Sequence, residues 1–450
     1  MKRSRLFSLS FILLIVTSTS FAQNSQVRVT IYNENLALVH EIRQIDLPRP
    51  SGVCSFRDVA ALIDPTSVHF KSLSHPEDVS VLEQNFEYDL VSADKIMQRY
   101  LDQRVRLLTK QGATVEGRLL SASGNLVLQA DDNSIKILNN SEVVSNDLPK
   151  LPEGLITRPT LVWQVENNGP ANQRVEVSYL TSGMSWHSEY VSVLDQNDQN
   201  MDLTGWVSID NQCGASFPEA SILLIAGDIH RARGREKLAR PQMEEMRMAT
   251  AAQFEEKEFF EYHLYTLGRK STLKDRQQKQ IELLPSTRIP VKKEYTYNGV
   301  ADPKNVNVTL TFTNNKESGL GIALPAGTVR MYKPEGEAQI LVGEDRIEHT
   351  PRDEEVRLNA GAAFDILGER TRLSQKQLSD RSHEERVKIE IRNRKDVAVT
   401  VKVIEQVHGN WTITAETQEH AQKDANTVEW DLKVPARGTE NVTYTVVRNW

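Results

Sequence analysis

The chain has 450 residues, with 54 Lys and Arg against 61 Asp and Glu and a formal charge of −7, a length that corresponds to roughly two to four domains. The acidic balance argues against a nucleic-acid binder, which needs a Lys and Arg surplus to neutralise phosphates. Two cysteines exclude a disulfide-dense scaffold and any Cys-rich zinc or iron–sulfur module, while 39% hydrophobic residues suffice for real cores.

Residues 1–22 read as a secretory signal peptide. Lys2, Arg3 and Arg5 form a basic start, 6–16 is an apolar run interrupted by Ser8 and Ser10, and Ser20-Phe21-Ala22 offers small residues to a signal peptidase. The run is shorter than the about 20 residues a spanning helix needs. No Cys follows it, so a lipid anchor is not expected, and no later stretch is long and apolar enough to span a membrane. The expectation is an exported chain, periplasmic or extracellular, with no transmembrane segment after cleavage.

From residue 23 the pattern alternates with period two, the mark of half-buried strands. Residues 23–89 hold a hairpin (27–31 and 36–39 around Asn33-Glu34-Asn35) and two further short strands, 54–59 and 67–73, and are expected to join the main sandwich. Cys54 and Cys213 could pair in an oxidising compartment and tie these strands to a later sheet; the alternative is two separately buried thiols.

Residues 90–148 look like a separate small domain. Ser92 is placed to cap a helix from Ala93 to about Leu101. Five strands follow, at 104–109, 114–122, 124–130, 134–138 and 143–144, with tight turns between them. One helix and five strands is the order of a small Sm-like, SH3-type barrel, a likeness of fold that implies no RNA binding.

Prolines 149, 152 and 159 mark a linker, and 149–230 forms a central β-sandwich. Within it 222–226 is a continuous apolar run, as in a sheet buried on both faces. Residues 231–258 break the alternation with grouped Arg and Lys, then Glu, around Met243, Met246 and Met248. The segment reads as a flexible charged insertion, partly helical; the other readings are a soft-metal site or a partner-binding arm. Residues 259–385 complete the central part in strands, and 386–450 is an immunoglobulin-like sandwich of five strands without the Cys–Trp–Cys pattern of antibody domains. Apart from the helix near residue 95, only 244–258 and 371–385 invite a helix. The fold class is all-β: sandwich units with one inserted barrel.

No active-site signature is present. There is no G-x-S-x-G elbow, H-E-x-x-H, P-loop or dinucleotide fingerprint, so no catalytic residue, metal ligand or cofactor is assigned. His69 and His75 lack a nearby third ligand. Asp228, His230 and Arg231 close a buried strand, where a salt bridge and a turn explain them better than acid–base work. Glu354-Glu355 and Glu384-Glu385 read as solvated charges. Tryptophans 163, 186, 206, 411, 430 and 450 read as core rather than as a sugar-stacking platform. An outer-membrane barrel is rejected because aromatic residues are only 6%.

Six stretches carry a resemblance. They are Val29-Thr-Ile-Tyr-Asn-Glu-Asn-Leu-Ala-Leu-Val39, Leu151-Pro-Glu-Gly-Leu-Ile-Thr-Arg-Pro-Thr-Leu161, Ser178-Tyr-Leu-Thr-Ser-Gly-Met-Ser-Trp186, Leu203-Thr-Gly-Trp206, Ala226-Gly-Asp-Ile-His230 and Phe259-Phe-Glu-Tyr-His-Leu-Tyr265. Together they resemble a secreted bacterial family, the domain of unknown function numbered four-one-three-nine, some members of which are called "mucoidy inhibitor A"-like. The resemblance implies a β-rich envelope protein and transfers no catalytic residue. The chain lacks the long coiled coil of the mucoidy-type members. Three functions remain, in order: a protein-interaction or structural module of the envelope, a glycan-binding or exopolysaccharide-regulating protein, and a hydrolase with an unrecognised site.

Overall fold

The computed structural model describes residues 26–89, 91–150, 152, 155–227 and 253–449. Nearly all regular structure among them is β-strand; the exceptions are one helix, Ala93–Arg99, and two 3-10 turns. The all-β expectation therefore holds. The described residues form two compact units, one within residues 26–28 and Val39–Tyr179 and one within Val29–Leu38 and residues 180–449. The expected signal peptide, and the expected insertion up to residue 252, lie outside the described residues.

In the first unit, Thr160–Asn167 pairs antiparallel with Ser51–Arg57 on one side and Val79–Glu87 on the other. Its alternation puts Leu161, Trp163 and Val165 inward, all fully buried. Trp163 packs against Phe56 and Phe70 at ring-centroid distances of 5.6 and 5.0 Å, and its indole N–H donates to Gln84 Oε1 at 2.9 Å. A buried acid also sits here. Glu41 is held by the Arg43 guanidinium and accepts a hydrogen bond from the Tyr179 hydroxyl at 3.2 Å.

The small domain follows its sequence closely. Ser92 caps Ala93–Arg99 by accepting from the Lys95 N–H at 3.3 Å. Five strands follow: Arg104–Thr109, Thr114–Ser121, Leu126–Gln129, Ile135–Leu138 and Val143–Asp147. The last lies beside the first, so the sheet order is fifth, first, second, third, fourth. Met97 and Tyr100 of the helical segment cover Leu107, Leu119 and Leu128. The expected barrel does not close, however. A 3-10 turn at Asn140–Glu142 redirects the chain onto Arg104–Thr109, and Ile135–Leu138 and Val143–Asp147 remain two separate edges.

The second unit holds a five-stranded sheet in the order Gln277–Pro290, Asn200–Asn211, Met184–Leu194, Gly327–Glu335, Ala338–Ile347. Met184–Leu194 and Gly327–Glu335 run parallel, and a Cβ at Gly327 would fall 2.2 Å from the Ser188 carbonyl oxygen, so only glycine fits. A nine-stranded sheet contains the strands expected at 386–450. It also takes in Lys292–Tyr297, Asn305–Thr313 and the 25-residue strand Glu355–Ser379. Its outermost strands, Asn410–Glu416 and Ala421–Gln422, are consecutive in the chain.

Both further helix expectations fail where they can be seen. Phe254–Phe259 is a strand paired with Tyr262–Leu267, and residues 371–385 form the end of a hairpin between Glu355–Ser379 and Ser382–Asn393. Their Glu, Gln, Lys and Arg content favours helix weakly, and cross-strand pairing overrides that preference.

Four fully buried asparagines recur at strand ends: Asn167, Asn211, Asn314 and Asn393. Each side-chain amide donates to main-chain carbonyls of a following turn or a neighbouring loop, while its oxygen accepts a nearby N–H. For Asn393 the donors reach Val397 O (2.8 Å) and Pro435 O (3.0 Å), and the acceptor takes Lys395 N–H (3.0 Å). Asn393→Ala strands these main-chain groups in an apolar setting and is expected to lower stability by about 2–3 kcal/mol, measurable as a lower urea midpoint with unchanged m-value.

Candidate functional site

Four of the six sequence stretches that carry the resemblance meet within the second unit. The turn after Gln26–Tyr32 is closed by Tyr32 N–H donating to Leu36 O at 3.1 Å. Asn33 then bridges two other stretches: its amide donates to Trp186 O at 3.3 Å, and its oxygen accepts the Gly227 N–H at 3.2 Å. Asn35 accepts the Gly183 N–H at 2.6 Å. Trp186 is buried on Met184–Leu194; its indole N–H donates to Ile225 O at 3.1 Å, and its ring meets Tyr265 edge-on at 6.1 Å. Gly227 has φ +127°, and a Cβ there would lie 2.6 Å from the Tyr262 ring. The glycine therefore lets that ring close over the end of Phe217–Ala226.

Two buried tyrosines tie this cluster to the segment before Gly327–Glu335. Tyr265 donates to Ala323 O and Tyr190 to Pro325 O, each at 2.9 Å. Burial pushes both phenols well above their ordinary range, so they act as neutral donors and not as acids near neutral pH.

One group of charges stands beside them. Glu256 on Phe254–Phe259, its side chain only 6% exposed, is held between the Arg352 guanidinium and His263, whose Nδ1 is 2.8 Å from Glu256 Oε1. A carboxylate that orients an imidazole is half of an acid–base relay. Among the described residues no Ser, Thr or Cys hydrogen-bonds to His263, and no three His, Cys, Asp or Glu side chains gather to hold a metal ion. At the tip of the same hairpin Phe260 sits in the left-handed region at φ +56° and is 84% exposed, its ring 6.1 Å from that of Tyr262.

The residues considered from sequence fall elsewhere. Asp228, His230 and Arg231, the three methionines and Trp450 lie outside the described residues. His75 pairs with Asp78 at 3.4 Å, and no metal cluster joins it to His69. Trp163, Trp186 and Trp430 are core, each inside a different sheet. Glu355 is a surface charge paired with Arg357. Glu385 is a correction: it is buried, between Arg372 and Arg448, because the strand it shares with Glu384 turns alternate side chains to opposite faces. The Glu256–His263–Arg352 group was not anticipated, since His263 and Arg352 lie 7 and 96 residues from Glu256, the first brought to it by a strand hairpin and the second by a turn distant in sequence.

Cys54 and Cys213 are both buried free thiols, the arrangement offered as the alternative to a disulfide. Burial raises both, Cys213 to about 11, where the thiol also lies 3.7 Å from Ala215 O. Alkylation at pH 8 is expected to be slow for the folded protein and to reach two thiols in denaturant without reductant; a requirement for reductant would establish the disulfide. Trp186→Phe, which removes the indole donor to Ile225 O and leaves a small cavity in the core, is expected to cost about 2–3 kcal/mol by denaturant titration.

Among known proteins, no curated protein matches this chain. One family does, described as a domain of unknown function (DUF4139), over residues 175–450. The match takes in most of the convergent stretches, while Val29-to-Val39 and Leu151-to-Leu161 precede it. The chain belongs to the DUF4139 family, and no biochemical activity comes with that membership.

Proposed function

We propose that this is an exported protein of the bacterial envelope that acts by binding another protein rather than by catalysis. The observation that carries the reading is Phe260. A bulky residue at positive φ costs of order 1 kcal/mol or more, and here that strain holds an aromatic ring outward in solvent. Contact anchors are made of such side chains. The polar groups behind it point the other way. The Trp186 indole, both tyrosine hydroxyls and both Asn33 amide atoms are spent on main-chain partners, which builds a rigid base under the hairpin. No helix among the described residues is long and apolar enough to cross a membrane, and the basic start and short apolar run of residues 1–22 support export.

Kinship with the "mucoidy inhibitor A"-like proteins rests on the same sequence stretches and belongs to this proposal. A second reading, glycan binding, draws on one observation, the polar end of the nine-stranded sheet around Trp411 and Arg448.

Two measurements test the first reading. Protein recovered from the envelope should begin at Gln23 by N-terminal sequencing; retention of residues 1–22 in a cytoplasmic fraction would defeat the export claim. A photo-crosslinking residue at position 260 should give one discrete adduct in cells, and the same residue at exposed position 441 should give none; matching patterns at both would reject the anchor. Phe260→Gly should raise stability by about 1 kcal/mol by relieving the turn while removing the anchor.

A further inference from the structure

The inner face of the nine-stranded sheet changes character along its length. Along Ser382–Asn393 the inward residues Ile391, Ile389 and Val387 are fully buried core, but the next two inward positions are Glu385 and His383, 6% and 8% exposed. The registers extend this change across four strands. Gln377 opposes His383, His383 opposes Arg448, and Arg448 opposes Trp411, so the four side chains stand in one row on one face. In the adjoining row Gln375 opposes Glu385. Arg372, further along the same strand, reaches Glu385 from one side at 3.9 Å, and Arg448 reaches it from the other at 3.6 Å.

Those two distances are too long for good charge-assisted hydrogen bonds, which close to about 2.7–2.9 Å. The Nε of Arg448 is buried and has no hydrogen-bond partner among the described residues. A buried donor without a partner is uncommon in a folded protein. Two guanidiniums also face this single carboxylate, Arg372 from the solvent side with its side chain 56% exposed. Beside them Trp411 is only partly buried, its ring edge fixed by indole donation to Ala425 O at 3.0 Å.

We propose that this row is a binding site for an acidic carbohydrate. A sugar ring offers an apolar face that packs on an aromatic ring and a rim of hydroxyls that suits planar amide, carboxylate and guanidinium groups. Trp411 supplies the aromatic ring, Gln377 and Glu385 take hydroxyls, and the Arg448 and Arg372 guanidiniums take the sugar carboxylate. The site is separate from the Phe260 hairpin and does not depend on it.

Titration calorimetry of the full mature chain with oligogalacturonate, and with cello-oligosaccharide of equal length as the neutral control, tests the proposal. Binding of the uronic oligosaccharide alone is expected. Trp411→Ala and Arg448→Ala should each weaken it at least tenfold. Gln377 is exposed and outside the core, so Gln377→Ala keeps the fold and should weaken binding severalfold even if the other two variants misfold. Absence of heat with the uronic ligand, equal binding of both ligands, or full affinity in Gln377→Ala would each overturn the proposal.

Discussion

The structure depends on how it terminates its strands. A chain built almost wholly of β-strands leaves main-chain N–H and C=O groups at every sheet corner, and in a buried corner each must find a partner. Asn167, Asn211, Asn314 and Asn393 meet that need in the same way, with one amide that donates to carbonyls and accepts an N–H at the same corner. Asn33 and the hydroxyls of Tyr190 and Tyr265 extend the device to the base of the Phe260 hairpin. Short side chains that mimic the backbone thus do the work that helix caps and disulfides do in other folds.

This accounts for the character of the stretches that mark the family. Tyr32-Asn33-Glu34-Asn35, Gly183 to Trp186, Gly227 and Tyr262 to Tyr265 are far apart in sequence yet touch one another through main-chain hydrogen bonds and ring packing. Their chemistry is that of a frame. The groups left over for recognition are the outward aromatic on a strained turn and, in another sheet, the polar end of an otherwise apolar face.

Much of the fold was legible in the sequence. Period-two alternation located the strands, and the Ser92 cap and the tight turns located the helix and five strands of the small sheet closely. Local pattern failed where a hairpin carries helix-favouring residues, at 371–385, because its second strand is held by Thr439–Asn449, a segment distant in sequence. That the small sheet stays open was equally hidden, since alternation reports which face a residue takes and not which edges meet. The Glu256–His263–Arg352 group and the Arg372–Glu385–Arg448 group stayed invisible for the same reason. The first joins a strand hairpin to Arg352 in a distant turn and the second is assembled by register between strands, and a pair such as Glu384-Glu385 reads as surface charge until the strand shows which member faces inward.

The nine-stranded sheet begins and ends with two strands that follow one another in the chain. Asn410–Glu416 and Ala421–Gln422 lie at opposite ends of its order, joined by residues 417–420. A sheet normally frays from whichever border is weaker, while the other border stays in place. Here the same four-residue strap holds both borders. Glu416 accepts the Trp430 indole N–H at 3.2 Å and lies 3.0 Å from His420 Nδ1, which clamps the strap at each end. Peeling one border therefore tugs on the other, so the sheet should come apart as a single event and offer no loose margin to a neighbouring chain.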